Sequence, residues 1–152
     1  MIFSRKQVVK SPDGQVGGQP AGSSALHMTT KRQGDAAETT ALKHLMKAGM
    51  KLVETNYRTP GRGGGEIDLI MRAKDGTLVF VEVRQRSGKS HGGAGASISG
   101  VKQQRIIFAA RHYLMRFASP PPCRFDVVLV QGNASGDAAT QLEWLPAAFD
   151  AS

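Results

Sequence analysis

Cysteine is almost missing from this chain, where Cys123 stands alone among 152 residues. A single thiol closes no internal disulfide, and its simplest use is as a small apolar filler. The four histidines, His27, His44, His91 and His112, do not have the spacing of a zinc site. Long hydrophobic runs are missing too: no stretch approaches the roughly 18 uncharged apolar residues of a membrane span. The amino terminus, MIFSRKQVVK, lacks the uninterrupted apolar centre of a secretory signal. Together these absences exclude a membrane partner and point to the cytoplasm. Internal repeats are absent. Lys and Arg are also absent from residue 125 onward, a stretch that holds four acids.

The missing basic residues at one end sharpen the excess elsewhere. The chain carries a net charge of +8, and residues 31 to 124 alone hold 17 basic against 7 acidic side chains. A basic middle of this kind suits an anionic partner, nucleic acid above all, because neutralised phosphates release counterions. A surface that is merely well solvated is the competing explanation. Residues 11 to 25, SPDGQVGGQPAGSSA, are too poor in apolar groups to offset the entropy of ordering. Residues 1–30 are therefore assigned to a flexible basic tail, with Met28 as an alternative start, and residues 31–152 to one compact domain.

Within the domain, AETTALKHLMKAG places Ala41, Leu42, Leu45 and Met46 at helical spacing before Gly49. KLVETNY, GEIDLIMR and TLVFVEVR read as three strands, the last two joined in a hairpin through Lys74, Asp75 and Gly76. A glycine-rich loop follows over residues 87 to 98. Beyond it, VKQQRIIFAARHYLMRF repeats Ile106, Ile107, Ala110, Tyr113, Leu114 and Phe117 at the helical period until SPPP stops it. RFDVVLV is apolar enough for a central strand, and the last 20 or so residues form a loop or an edge segment at LEWLP. Hairpins join the first strands and a helical crossover leads to the fourth, so the sheet is mixed and helices pack on it.

Two strands carry acids where apolar residues belong. Alternation puts Glu66, Asp68 and Ile70 on one face of the second strand, and Phe80, Glu82 and Arg84 on one face of the third. If those faces coincide, Asp68 and Glu82 stand close enough to repel. Such a pair needs a cation or a shared proton. A hard divalent ion with oxygen ligands, Mg²⁺ or Mn²⁺, suits it best. The alternative is an ordinary solvated pair of Glu82 with Arg84, which contributes little. VFVEVR is too apolar for a surface strand, and the glycine run before Glu66 lets backbone approach closely.

The segments GDAAETTALKHLMKAG, GGGEIDLIMR, VFVEVRQR, GGAGASISGVKQQRI and CRFDVV, in this order, resemble the small bacterial YraN family over about residues 31 to 131. The resemblance implies an α/β, restriction-endonuclease-like fold, a mixed sheet with core order α-β-β-β-α-β, related to archaeal Holliday-junction resolvases. That superfamily is marked by an acid, a gap and then (D/E)-x-K. By position, Asp68 takes the first acid, Glu82 the second and Arg84 the place of the lysine. Arginine neutralises charge but stays protonated and cannot act as a base, so this departure weakens the case for catalysis while leaving the metal site intact.

The function implied is metal-dependent endonuclease activity on DNA, branched structures included, or on RNA. Asp68, Glu82 and the carbonyl of Val83 are the expected ligands of Mg²⁺ or Mn²⁺, with Arg84 countering developing charge. Glu38 is either a further ligand or a favourable charge near a helix amino terminus. Glu66 is either an outer neighbour of the ion or solvated. Lys102 and Arg105 either grip a phosphate or line an exposed basic helix face. Arg58, Arg62 and Arg86 flank the acidic strands and widen the nucleic-acid track. Gly92, Gly93 and Gly95 form either a mobile loop over the site or a plain connector. Cutting two strands calls for a homodimer. The rival reading is a module that keeps this fold and grips nucleic acid without cutting it, and a purely structural partner is the weakest.

Overall fold

The computed structural model describes residues 22–86, 98–131 and 141–151. The chain runs through α1 (Gly22–Lys47), β1 (Lys51–Arg58), β2 (Glu66–Arg72), β3 (Leu78–Arg86), α2 (Gly100–Leu114), β4 (Cys123–Gln131) and β5 (Gln141–Phe149). This is the expected core order with one strand added at the end. Helical backbone extends back to Gly22, into the stretch that composition assigned to a tail. Residues 1–21 and the glycines Gly92, Gly93 and Gly95 lie outside the described residues.

One five-stranded sheet has the order β1-β2-β3-β4-β5. β1 with β2, β2 with β3, and β4 with β5 pair antiparallel, while β3 and β4 pair parallel across the α2 crossover. The architecture is mixed α/β, compatible with a restriction-endonuclease-like fold. LEWLP belongs to an edge strand longer than expected, because β5 pairs with β4 from Gln141 to Leu145 and again, past an irregularity, at Phe149. Among the described residues no helix is long and apolar enough to cross a membrane.

The strands are apolar on both faces because each face is covered. Ala37, Ala41 and Leu45 of α1 pack on Leu69, Met71, Val79, Val81, Val128 and Val130. On the other face Ile106, Ile107, Ala109, Ala110 and Tyr113 of α2 meet Ile70, Leu78, Phe80 and Phe125. Each large side chain removed from water here contributes roughly 1.5–3 kcal/mol, so the two layers fix the strand register firmly. Two expectations fail at the margins. Met46 is 51% exposed, because the inward stripe of α1 runs through Ala37, Ala41 and Leu45 instead. Cys123 is exposed at the first residue of β4, ahead of that strand's buried run, and fills no core space.

Candidate functional site

The β2–β3 ladder pairs Arg72 with Leu78 through to Leu69 with Val81, and one further step of the register sets Asp68 opposite Glu82. Pairing stops there. The Val83 N–H donates to Asp68 Oδ2 at 2.8 Å, so a carboxylate takes the place of a neighbouring strand. Alternation fails at the same point: Ile67 packs in the α2-facing cluster together with Ile70, whereas Leu69 and Met71 pack under α1. The cause lies partly in β1. Asn56, between the paired residues Thr55 and Tyr57, stands opposite Asp68 with a φ of 50°, a left-handed conformation that asparagine tolerates better than most residues. The local twist at Asp68, where alternation breaks, therefore sits opposite the left-handed Asn56, while Asp68 stays within β2.

Glu82 is only 6% exposed; its Oε1 finds no donor among the described residues, and its carboxyl lies within hydrogen-bonding reach of Asp68. Its Oε2 lies 3.6 Å from Lys102 Nζ, an ion pair reaching down from α2. Burial, and then the negative charge of Asp68, push Glu82 from the ordinary 4.5 up to about 8. Burial also raises Asp68, despite the hydrogen bond from Val83. Glu38 is half-buried on α1 and is raised to about 7 by burial and by Asp68, against a hydrogen bond with the Asn56 side chain. These carboxyls sense one another, but among the described residues no three His, Cys, Asp or Glu side chains form a group that could hold an ion. Glu38 is a neighbour of the pair and does not complete a three-acid cluster.

Beside the acids lies a groove of about 390 Å³, lined by Arg58, Thr59, Gly61, Gly63 to Gly65, Glu66, Lys102 and Arg105. The glycine run is explained by contact. A Cβ on Gly65 would stand 1.9 Å from the Arg105 carbonyl oxygen, and one on Gly64 would stand 1.9 Å from Thr59 Oγ1. The loop is pressed against α2 and closed by Thr59 N to Gly65 O at 3.1 Å and Gly65 N to Thr59 Oγ1 at 2.9 Å.

The basic residues expected along the track divide. Arg58, Lys102 and Arg105 line the groove, although Arg58 is engaged with Glu66 at 2.9 Å. Arg62 is exposed on the glycine loop and does not line the groove. Arg86 lies elsewhere, in a concavity with Leu129, Gln131 and Glu143, because β3 continues past the acids alongside β4. Arg84 is exposed, and its charge acts on Glu82 less than that of Lys102. Asn56 was not anticipated from sequence, and its only signal there is that asparagine tolerates the left-handed region. Asp126 was not anticipated either: it is a fully buried acid on β4, bound by Arg124, Trp144 and the Ala147 N–H.

Comparison with known proteins gives this sequence relatives. A sequence model of the family described as "Uncharacterised protein family UPF0102" matches residues 37–130. A UPF0102 protein of Polaromonas sp. strain JS666 is 69% identical over 154 residues, covering all of both chains. One from Polaromonas naphthalenivorans is 68% identical over 155 residues, again covering all of both. A third, from Albidiferax ferrireducens, is 66% identical over 123 residues, which is 81% of this chain and 91% of that protein.

Proposed function

The chain belongs to the UPF0102 family, and on that footing we propose that it is a nucleic-acid-binding protein that hydrolyses phosphodiester bonds with a divalent metal ion. The observation that carries this is Glu82, a buried carboxyl with one oxygen that no donor among the described residues satisfies, set against a second carboxyl, Asp68, where the sheet ladder is broken. A fold does not keep an unsatisfied buried acid beside another without cost, and a cation removes that cost. The donors fit a hard ion. They are all oxygen, and Mg²⁺ is commonly held by one or two carboxylates with water completing its shell, so a third acid is not required.

Asp68, Glu82 and the Val83 carbonyl are the residues that would hold Mg²⁺ or Mn²⁺. When bound, the ion supplies Lewis acidity to the phosphate and makes water a stronger acid. The rest falls to the chain's own side chains. The Val83 N–H fixes Asp68 Oδ2 and so orients that carboxylate. Lys102 and Arg105 meet phosphate oxygens along the groove, which the glycine loop bounds on its other side. Among the described residues no aromatic side chain lines the groove, whose charged lining suits the phosphodiester backbone. DNA, including branched forms, is the proposed substrate.

The exposure of Arg84 favours a second reading, a module that binds without cutting, since the third motif position is solvated and acts on Glu82 less than Lys102 does. One assay separates the two. Purified protein is incubated with branched, flapped and single-stranded DNA in Mg²⁺ or Mn²⁺, and then with EDTA. The proposal expects cleavage that EDTA, Asp68→Ala and Glu82→Ala each abolish. Binding without cleavage, indifferent to EDTA, would establish the module in its place.

A further inference from the structure

We propose that Lys102 is shared between Glu82 and the nucleic acid: a phosphodiester entering the groove draws it off Glu82 and opens that carboxylate to the divalent ion. This rests on the metal-dependent reading above and adds a coupling between the two ligands.

The residue is placed for both contacts. Lys102 lies in the first turn of α2, where its backbone N–H is held by Ser99 Oγ at 3.1 Å and the next residue is tied by Gln103 Nε2 to Ile98 O at 2.9 Å. The backbone is thus fixed while the side chain, 36% exposed, has room to swing. Its ammonium lies 3.6 Å from Glu82 Oε2, close enough to neutralise but too long for a good hydrogen bond. The same side chain lines the groove with Arg105 one turn further along α2 and Arg58 across it. Neither acid lines that groove, so Lys102 is the basic residue that joins the two places.

The physics follows from charge. With no ion present, an ammonium relieves the repulsion between Asp68 and Glu82. An ion entering the pair meets that ammonium as a like charge, and the two compete for Glu82 Oε2. A phosphate in the groove offers the lysine another anion, which removes the competitor. Linkage makes the effect reciprocal: nucleic acid tightens metal binding, and metal tightens nucleic-acid binding by the same factor. Arg84 does not serve this purpose, because it is exposed and does not line the groove.

The test measures Mn²⁺ affinity by electron paramagnetic resonance, with and without a short duplex carrying phosphorothioate linkages, in the full chain and in Lys102→Met and Lys102→Arg. Glu82→Ala supplies the blank for Mn²⁺ held by the DNA itself. The expected result is that DNA tightens Mn²⁺ binding about fivefold or more in the unmodified protein. Lys102→Met should bind Mn²⁺ about fivefold tighter than the unmodified protein without DNA and gain less than about twofold from DNA, while Lys102→Arg keeps the coupling. Equal Mn²⁺ affinity in the unmodified protein and Lys102→Met, or tightening by DNA that survives Lys102→Met, overturns the sharing while leaving the metal site standing. Failure of Mn²⁺ to bind any form, with DNA or without it, overturns the metal-dependent reading and the sharing together.

Discussion

Two buried acids on neighbouring strands have opposite fates. Asp126 on β4 is fully buried and accepts four hydrogen bonds, from Arg124 Nε at 3.0 Å, Arg124 Nη2 at 3.3 Å, Trp144 Nε1 at 2.9 Å and Ala147 N at 3.0 Å. Glu82 on β3 is nearly as buried and has one orphaned oxygen and one long ion pair. Each lies near a non-glycine residue in the left-handed region, Ala147 with φ 50° beside Asp126 and Asn56 with φ 50° opposite Asp68. Burial of charge therefore does not mark a site in this fold. Asp126 closes the irregular β4–β5 edge and is complete in itself, whereas Glu82 has only the neighbouring Asp68 carboxyl and a long contact with Lys102 among the described residues.

The largest expected effect comes from breaking the satisfied acid. Asp126→Ala leaves the Arg124 guanidinium, the Trp144 N–H and the Ala147 N–H without their acceptor and removes the bond holding Ala147 in its left-handed conformation. The predicted loss is about 3 kcal/mol or more of folding stability, read as a lower urea midpoint. Gly65→Ala comes next. Its methyl would meet the Arg105 backbone 1.9 Å away, and neither α2 nor the loop can yield cheaply. A loss of about 2 kcal/mol is expected together with weaker DNA binding, as the groove is forced open. Gly61→Ala meets no atom within 4 Å and carries only the strain of its positive φ, so it is the matching control.

The same contrast explains what was legible in the sequence. Asp68 and Glu82 stood out because charge interrupts apolar strands, and the hairpin register that faces them follows from the Lys74–Gly76 turn. Lys102 and Arg105 were visible as a pair one turn apart at the start of α2. Asp126 escaped notice because its partners, Trp144 and Ala147, lie on an edge strand whose pattern is too weak to fix its register. Arg86 lies away from the acids for a related reason: strict alternation assumes a flat ladder, and the β2–β3 pair ends at Leu69 and Val81 while β3 runs on beside β4. The twist at Asp68 depends on the left-handed Asn56, which no periodicity reveals.

Glu82→Gln sharpens the comparison from the other side, with a smaller effect of opposite sign. The Glu82 carboxyl is raised from 4.5 to about 8 on folding. Below about 4.5 it is neutral in both states, and the fold bears no penalty for it. As pH climbs from there to about 8, the unfolded chain releases the proton more readily than the folded one, so stability falls across that window. Glu38, raised to about 7, slopes the same way. Glu82→Gln should therefore be more stable than the unmodified protein near pH 9 by about 1 kcal/mol, keep the shallower slope due to Glu38, and lose any stabilisation by Mg²⁺. Urea midpoints measured from about pH 5 to about pH 9 read all three. Equal slopes would mean that Glu82 is already satisfied as Asp126 is.

The smallest effect is expected at Arg84, although its sequence position in the motif suggests the reverse. Its side chain is exposed and Lys102 exerts the stronger pull on Glu82, so removing the guanidinium changes the acid pair little. An exposed cation near a phosphate track contributes to binding through counterion release alone. Arg84→Ala should weaken DNA binding modestly at low salt and reduce the slope of log affinity against log salt by about 1, while single-turnover cleavage of bound DNA changes by less than about threefold. Arg84→Lys, which restores the residue type of the superfamily signature, should behave as the unmodified protein does, because the strand carries position 84 past the acids whichever cation stands there. A large fall in cleavage with Arg84→Ala at unchanged affinity would place the guanidinium among the reacting groups, and would shift the third functional position from α2 back to β3.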